Sequence, residues 1–195
     1  MEYGAKEPKW APFAAENPEP AGALPNYGTP VMLGEFSNLK DNPFFVEASA
    51  AGDNDATARY VKRFRQCQVD LTVLDMANEV ASSVFGSKLD TTEGKRDLHF
   101  SKDDNPPYGG LAFYTENVMK GDVTKYQGVF YPKLKANMQG KSYSTTGSSI
   151  TLQDTALQMM GMACNSGDWK ILSELFDTEA EAAAWRDAKL GGTST

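Results

Sequence analysis

The sequence predicts a mainly β chain with one or two flanking α-helices, at about 75–86 and 178–190. Apolar and polar residues alternate with a period of two over 60–74 and 168–176, the signature of half-buried strands. The 17 glycines and 10 prolines among 195 residues supply turns throughout. Helix start and stop signals stand out in only two stretches. The length fits a single domain, 1–195, large enough to bury a core.

Residues 1–30 read as an extended arm that packs either on the chain's own body or on a neighbour. Pro8, Pro12, Pro18, Pro20, Pro25 and Pro30 argue against a helix or a central strand, while Tyr3, Trp10 and Phe13 give more aromatic content than a disordered tail carries. Residues 31–36 form a short strand candidate. Residues 37–58 read as a long polar loop holding Asn42-Pro-Phe-Phe-Val46, whose adjacent phenylalanines need cover from the core or from another subunit. A strand over 60–74 leads into a helix with Asp75 as N-cap, Ala77, Val80, Ala81, Val84 and Phe85 on one face, and Gly86 as the stop.

A polar loop at 87–107 ends in Asn105-Pro-Pro. Residues 109–114 and 125–135 then read as paired strands across the turn Met119-Lys-Gly-Asp122. Residues 142–152 give further strand material, and 155–164 suits either a helix or a strand. The Met159, Met160 and Met162 cluster reads as adaptable core. In the final strand Trp169, Ile171, Ser173 and Leu175 share one face. The helix after it opens with Thr178 and Glu181 at capping-box spacing and ends at Gly191-Gly192.

A net charge of −7 argues against a nucleic-acid groove binder, which needs a basic surface. Residues 1–35 hold five glutamates against Lys6 and Lys9. Basic residues cluster at Arg59, Lys62, Arg63 and Arg65, and again at Lys120, Lys125, Lys133, Lys135 and Lys141. These are solvated faces or, on the sharper reading, complementary surfaces between copies of the chain. Cys67 and Cys164 have neither zinc nor CxxC spacing and read as two buried thiols. No basic-then-apolar leader and no run of membrane-spanning length is visible, so synthesis in the cytoplasm is expected.

Chemistry is not advertised. His99 is the sole histidine and lacks a nucleophile context; Asp53-Asn-Asp55 lacks the later residues of a calcium loop; Asp103-Asp104 is at most half a metal site. The Gly109-Gly110 pair is followed by no phosphate-binding Lys-Ser/Thr. An enzyme is the weakest reading, and no cofactor or metal is expected.

Gly109-Gly-Leu-Ala-Phe-Tyr114, Tyr126-Gln-Gly-Val-Phe-Tyr-Pro-Lys-Leu134 and the closing Trp169 to Trp185 stretch occur in an order that resembles bacteriophage major tail proteins of the phi13 type, the tail-tube subunits of long, flexible-tailed phages. Asp70 to Gly86 resembles that family's strand-to-helix passage, and the resemblance spans roughly 60–190. It implies a β-sandwich or barrel-like tail-tube fold, with 155–164 as a strand. It further implies copies joined edge to edge into rings, usually hexameric, and stacked into a tube. Its partners would then be other copies, the tape-measure protein in the lumen, and the tail terminator and distal tail proteins at the tube ends. DNA would pass without sequence-specific binding, and the location would be the virion tail. A ring of six would carry roughly −42, six times the chain's −7, which suits a lumen that repels DNA. The arm and the 37–58 loop are expected to join stacked rings through Tyr3, Trp10, Phe13, Phe44 and Phe45, and loss of 1–20 is expected to leave a folded monomer. The alternatives are the inner tube of a contractile or secretion-type system and a monomeric β-sandwich binding module.

Overall fold

The computed structural model describes residues 2–52, 55–138, 140 and 154–191. Strands and helices follow in the order β1 (Glu2–Pro12), β2 (Val31–Met32), β3 (Phe36–Gly52), β4 (Asp55–Val73), α1 (Asn78–Phe85), β5 (Lys88–Asp90), β6 (Asp97–His99), β7 (Tyr108–Val118), β8 (Thr124–Asn137), β9 (Thr155–Gly161), β10 (Ile171–Phe176) and α2 (Glu179–Lys189). The chain is mainly β with two flanking helices, as the sequence predicts.

One antiparallel sheet runs β2-β1-β7-β8-β9-β4-β3, with β10 also joined to β8; β5 and β6 form a separate small hairpin. β8 is the hub. One edge pairs with β7 along most of its length, while the other is divided between β10 at residues 126–130 and β9 at residues 134–137. The sheet therefore forks, and the β9-β4-β3 branch folds over β7 and β8. Cys67, Val69, Leu71 and Val73 of β4 thereby meet Leu111, Phe113, Val129 and Tyr131 in one core cluster, with Ala81, Val84 and Phe85 of α1 in the same cluster.

The opposite face of β7 and β8 carries a second, smaller core. Ala112 and Phe130 meet Leu190, with Trp185, Tyr27 and Ile171 packed around them. α2 lies here because its capping box forms: the Thr178 hydroxyl accepts from the Glu181 N–H, and the Glu181 carboxylate accepts from the Thr178 N–H. Gly128 makes the close approach possible, since the Trp185 ring fills the space a Cβ there would take. Gly128→Val should therefore dislodge α2. Loss of the Trp185 near-ultraviolet dichroism with most far-ultraviolet β signal retained would check it; an unchanged near-ultraviolet band would contradict it.

An ionic clasp holds α2 to β1. Arg186, only 3% exposed, donates to the Glu7 carbonyl at 3.0 Å and to the Glu7 carboxylate at 2.6 Å. Arg186 and Lys9 both donate to Asp187, at 2.9 and 2.8 Å. Burial alone would raise the Asp187 carboxyl, but the bonds from Arg186 and Lys9 outweigh it and hold it below its ordinary value. Asp41 behaves likewise: burial opposes ionisation, yet Lys170 and the Tyr131 hydroxyl donate to it at 2.7 and 2.8 Å and lower it. A carboxyl depressed by folding contributes stability above its unfolded value, about 3.9 for Asp, and that contribution is lost as pH falls through the folded value. The melting temperature should hold from pH 7 to about 5 and fall below about 4. Asp187→Asn should lower it at pH 7 and flatten the acid slope, measured by thermal melts across pH.

Several expectations are corrected. The start of the chain is a sheet strand, not an extended arm: β1 sits inside the sheet between β2 and β7. Residues beyond it fold back on the body, with Ala14 N–H to Asn26 carbonyl at 2.9 Å, Tyr27 hydroxyl to Pro132 carbonyl at 2.7 Å and Lys133 to Glu19 at 2.7 Å. Two of the arm's acids, Glu7 and Glu19, are thus satisfied within the chain. Residues 37–52 and 55–58 are not loop but strand, within β3 and β4. α1 starts later than predicted, with Ala77 rather than Asp75 at the N-cap. β4 runs to Val73, and Asp75 lies hard against Gly34 before the helix can begin. Cys67 and Cys164 are buried free thiols, and burial pushes Cys67 up to about 11. β9 makes 155–161 a strand. The strand expected over 142–152, Asp53 and the Tyr3 side chain lie outside the described residues.

Candidate self-association surface

The inner half of β4 is paired on both sides, by β3 and by β9, as far as Cys67. Beyond that rung only β3 and β4 remain, from Phe45↔Phe64 to Gly52↔Asp55. At about 3.3 Å per residue this distal hairpin reaches roughly 25 Å from the sheet. Its departure is marked by a register shift that leaves Arg65 unopposed, a bulge that bends the ribbon. The root is braced: Phe64 stacks on Trp169 at 4.9 Å and meets Phe45 edge-on at 5.9 Å.

Register divides the distal hairpin into unlike faces. On one face, Lys62 pairs with Glu47 at 2.6 Å and lies 4.6 Å over the Phe45 ring. Bonds from Lys62 and then Tyr60 hold the Glu47 carboxyl below its ordinary value. That face satisfies itself. The other carries Val46 and Ala48 with Val61 between Arg59 and Arg63; Val46 is 54% and Val61 50% exposed. Neither arginine makes an ion pair among the described residues. Both long edges of this segment are also unpaired among them, and a lone two-stranded ribbon is marginal in water.

The predicted anchor residues separate. Phe44 and Phe45 stand exposed at the hairpin root, at 46% and 41%. Trp10 is fully buried in the main core, where the ring lies 2.5 Å from the position a Cβ on Gly109 would take. Phe13 packs between Tyr27 and Tyr108, with ring centres 5.8 and 6.0 Å away. Tyr3 pairs through its backbone with Glu116 in β7. Trp10 and Phe13 therefore serve the fold, where β1 and the turn after it complete the sheet, and the fully buried Trp10 has no surface to offer another subunit.

Sequence reasoning missed a second open edge. Among the described residues β10 pairs with β8 alone, leaving its other edge open, with Leu172 53% exposed and Leu175 also exposed. The alternation predicts Leu175 on one face with Trp169, Ile171 and Ser173. A register shift between Leu172 and Leu175 reverses the phase, and the Ser173 hydroxyl accepts from the Gly128 N–H at 2.8 Å where the ladder is interrupted.

Between β10 and β3 lies an open cleft of about 690 Å³, lined by Asn38, Asp41, Thr115, Gln127, Lys170 and Leu172 among others. Its two charged side chains, Asp41 and Lys170, bind each other. The outward face of β8, β9, β4 and β3 carries a hydrogen-bonded row: Asn137 donates to Gln158, and Gln158 and Gln68 donate to Asp70 at 3.0–3.3 Å. His99 is exposed on β6, and among the described residues no group of three or more His, Cys, Asp or Glu is placed to hold a metal. No helix among them is long and apolar enough to cross a membrane.

Set against known proteins, the chain matches no protein-family model and no curated protein.

Proposed function

We propose that this chain is the structural subunit of a self-assembled tube of the long-tailed phage kind, built from stacked hexameric rings. The observation that carries the reading is the distal β3–β4 hairpin. A ribbon with two open edges and an uncovered Val46–Val61 face is a liability in a monomer and an asset in a polymer. The ordered motifs that resemble phage major tail proteins supply the particular kind of polymer. In this reading the subunit's first partner is itself. The tape-measure protein occupies the lumen, terminator and distal tail proteins close the ends, and the assembly resides in the virion tail.

The sheet face free of helices, formed by β8, β9, β4 and β3, is then the wall that passing DNA meets. It presents amides and hydroxyls from Asn38, Asn42, Gln68, Thr72, Asn137 and Gln158, with Lys40, Asp70 and Lys135 as its charges. Such a wall is near neutral rather than acidic, and it offers a duplex no arginine cluster to grip. Sedimentation velocity over a hundredfold concentration range tests the proposal. Growth from monomer into large, discrete species supports it, and a single monomer boundary throughout overturns it.

A further inference from the structure

We infer that the open edge of β10, with the exposed Glu174 upon it, is the seat for the distal hairpin of a second copy of this chain. The inference rests on the tube reading and names the two surfaces that meet. β10 offers six residues of strand with one edge unpaired among the described residues, and Leu172 and Leu175 stand exposed beside it. A strand added there would gain backbone hydrogen bonds along the edge, while its side chains set the register. The distal hairpin has the matching features: open edges, and Val46 and Val61 exposed at the centre of one face.

Charge selects the same pairing. Arg59 and Arg63 flank the two valines and make no ion pair among the described residues. The other surface carries Glu174, exposed and likewise without an ion pair there; beyond it Asp177 binds Lys125, Glu179 binds Lys6 and Glu181 closes the α2 capping box. The apolar centres would cover each other while the arginines meet Glu174 at the rim, where charge fixes orientation. Within one chain the hairpin meets this strand's approach at its root, where Phe64 stacks on Trp169 and Asp41 binds Lys170, and its distal half stays uncovered. Two different surfaces of one chain joined in this way make a head-to-tail contact, which closes into a ring when the rotation allows.

Charge exchange tests the pairing. Glu174→Arg and Arg63→Glu are made singly and together, with Glu93→Arg as a control on a remote exposed acid. All four should melt like the parent, because these side chains are exposed. Each of the two single changes should cut the pelletable, assembled fraction about tenfold at fixed concentration, and the pair together should recover most of it. As a second measurement, Leu172→Cys chains are mixed with Val46→Cys chains under mild oxidation. Mixed disulfide dimers should exceed those formed when Met119→Cys replaces Val46→Cys, and buried Cys67 and Cys164 should not compete. Parent-like assembly by both single variants, or no excess of mixed dimers, overturns this seat and leaves the tube reading standing. A parent chain that never assembles overturns both.

Discussion

Trp10→Ala is expected to cost about 3–5 kcal/mol, a large share of the roughly 5–15 kcal/mol that holds a domain together. The ring is fully buried, belongs to the main core cluster and fills the space above Gly109. For a chain of this length such a loss lowers the melting temperature by about 6–20 °C. Trp10→Phe should cost less, because the indole N–H it removes is buried without a hydrogen-bond partner. Deleting 1–20 should abolish cooperative folding altogether, since it removes β1 from between β2 and β7. That outcome reverses the expectation of a folded, assembly-defective monomer. Circular dichroism melts check all three; a Trp10→Ala melt within 2 °C of the parent would contradict the assignment of Trp10 to the core.

Shortening the hairpin should have the opposite signature. Val46 and Arg63 are direct cross-strand partners, so replacing 47–62 by Asn-Gly closes the ribbon with a turn suited to two-residue hairpins. Among the described residues the removed segment contributes none to either core cluster. The variant should melt within about 2 °C of the parent, because exposed ribbon adds little to stability. Its assembly should vanish at concentrations where the parent is fully polymerised. Analytical ultracentrifugation beside a thermal melt reads both properties, and normal assembly of the shortened chain would remove the hairpin from the account.

These two predictions divide along the line between what sequence makes visible and what it hides. β7, β8, β10 and α2 are legible because alternation, turn residues and the Thr178–Glu181 box are local signals. β1 is hidden by its prolines, and the fold tolerates each for a reason. Pro8 falls in the irregular stretch between Lys6 and Lys9, beside Glu7 in the left-handed region at φ 49°, and Pro12 ends the strand. β3 is hidden similarly by Asn42-Pro43, yet Pro43 sits on the outermost strand of the sheet, where its missing N–H breaks no second ladder. Phe44 and Phe45 are legible as residues in need of cover, but a hairpin is not, because its two strands differ so much in composition. The β10 edge is hidden by its bulge, which exchanges the faces of Leu175 and its neighbours. Long-range pairing decided all three, and period alone does not encode it.

The account turns on whether the purified chain builds tubes by itself. Negative-stain electron microscopy across rising protein concentration tests this most directly. The account predicts rings with an open centre that stack into filaments of constant width as concentration rises. Isolated particles the size of one chain at every concentration would contradict it.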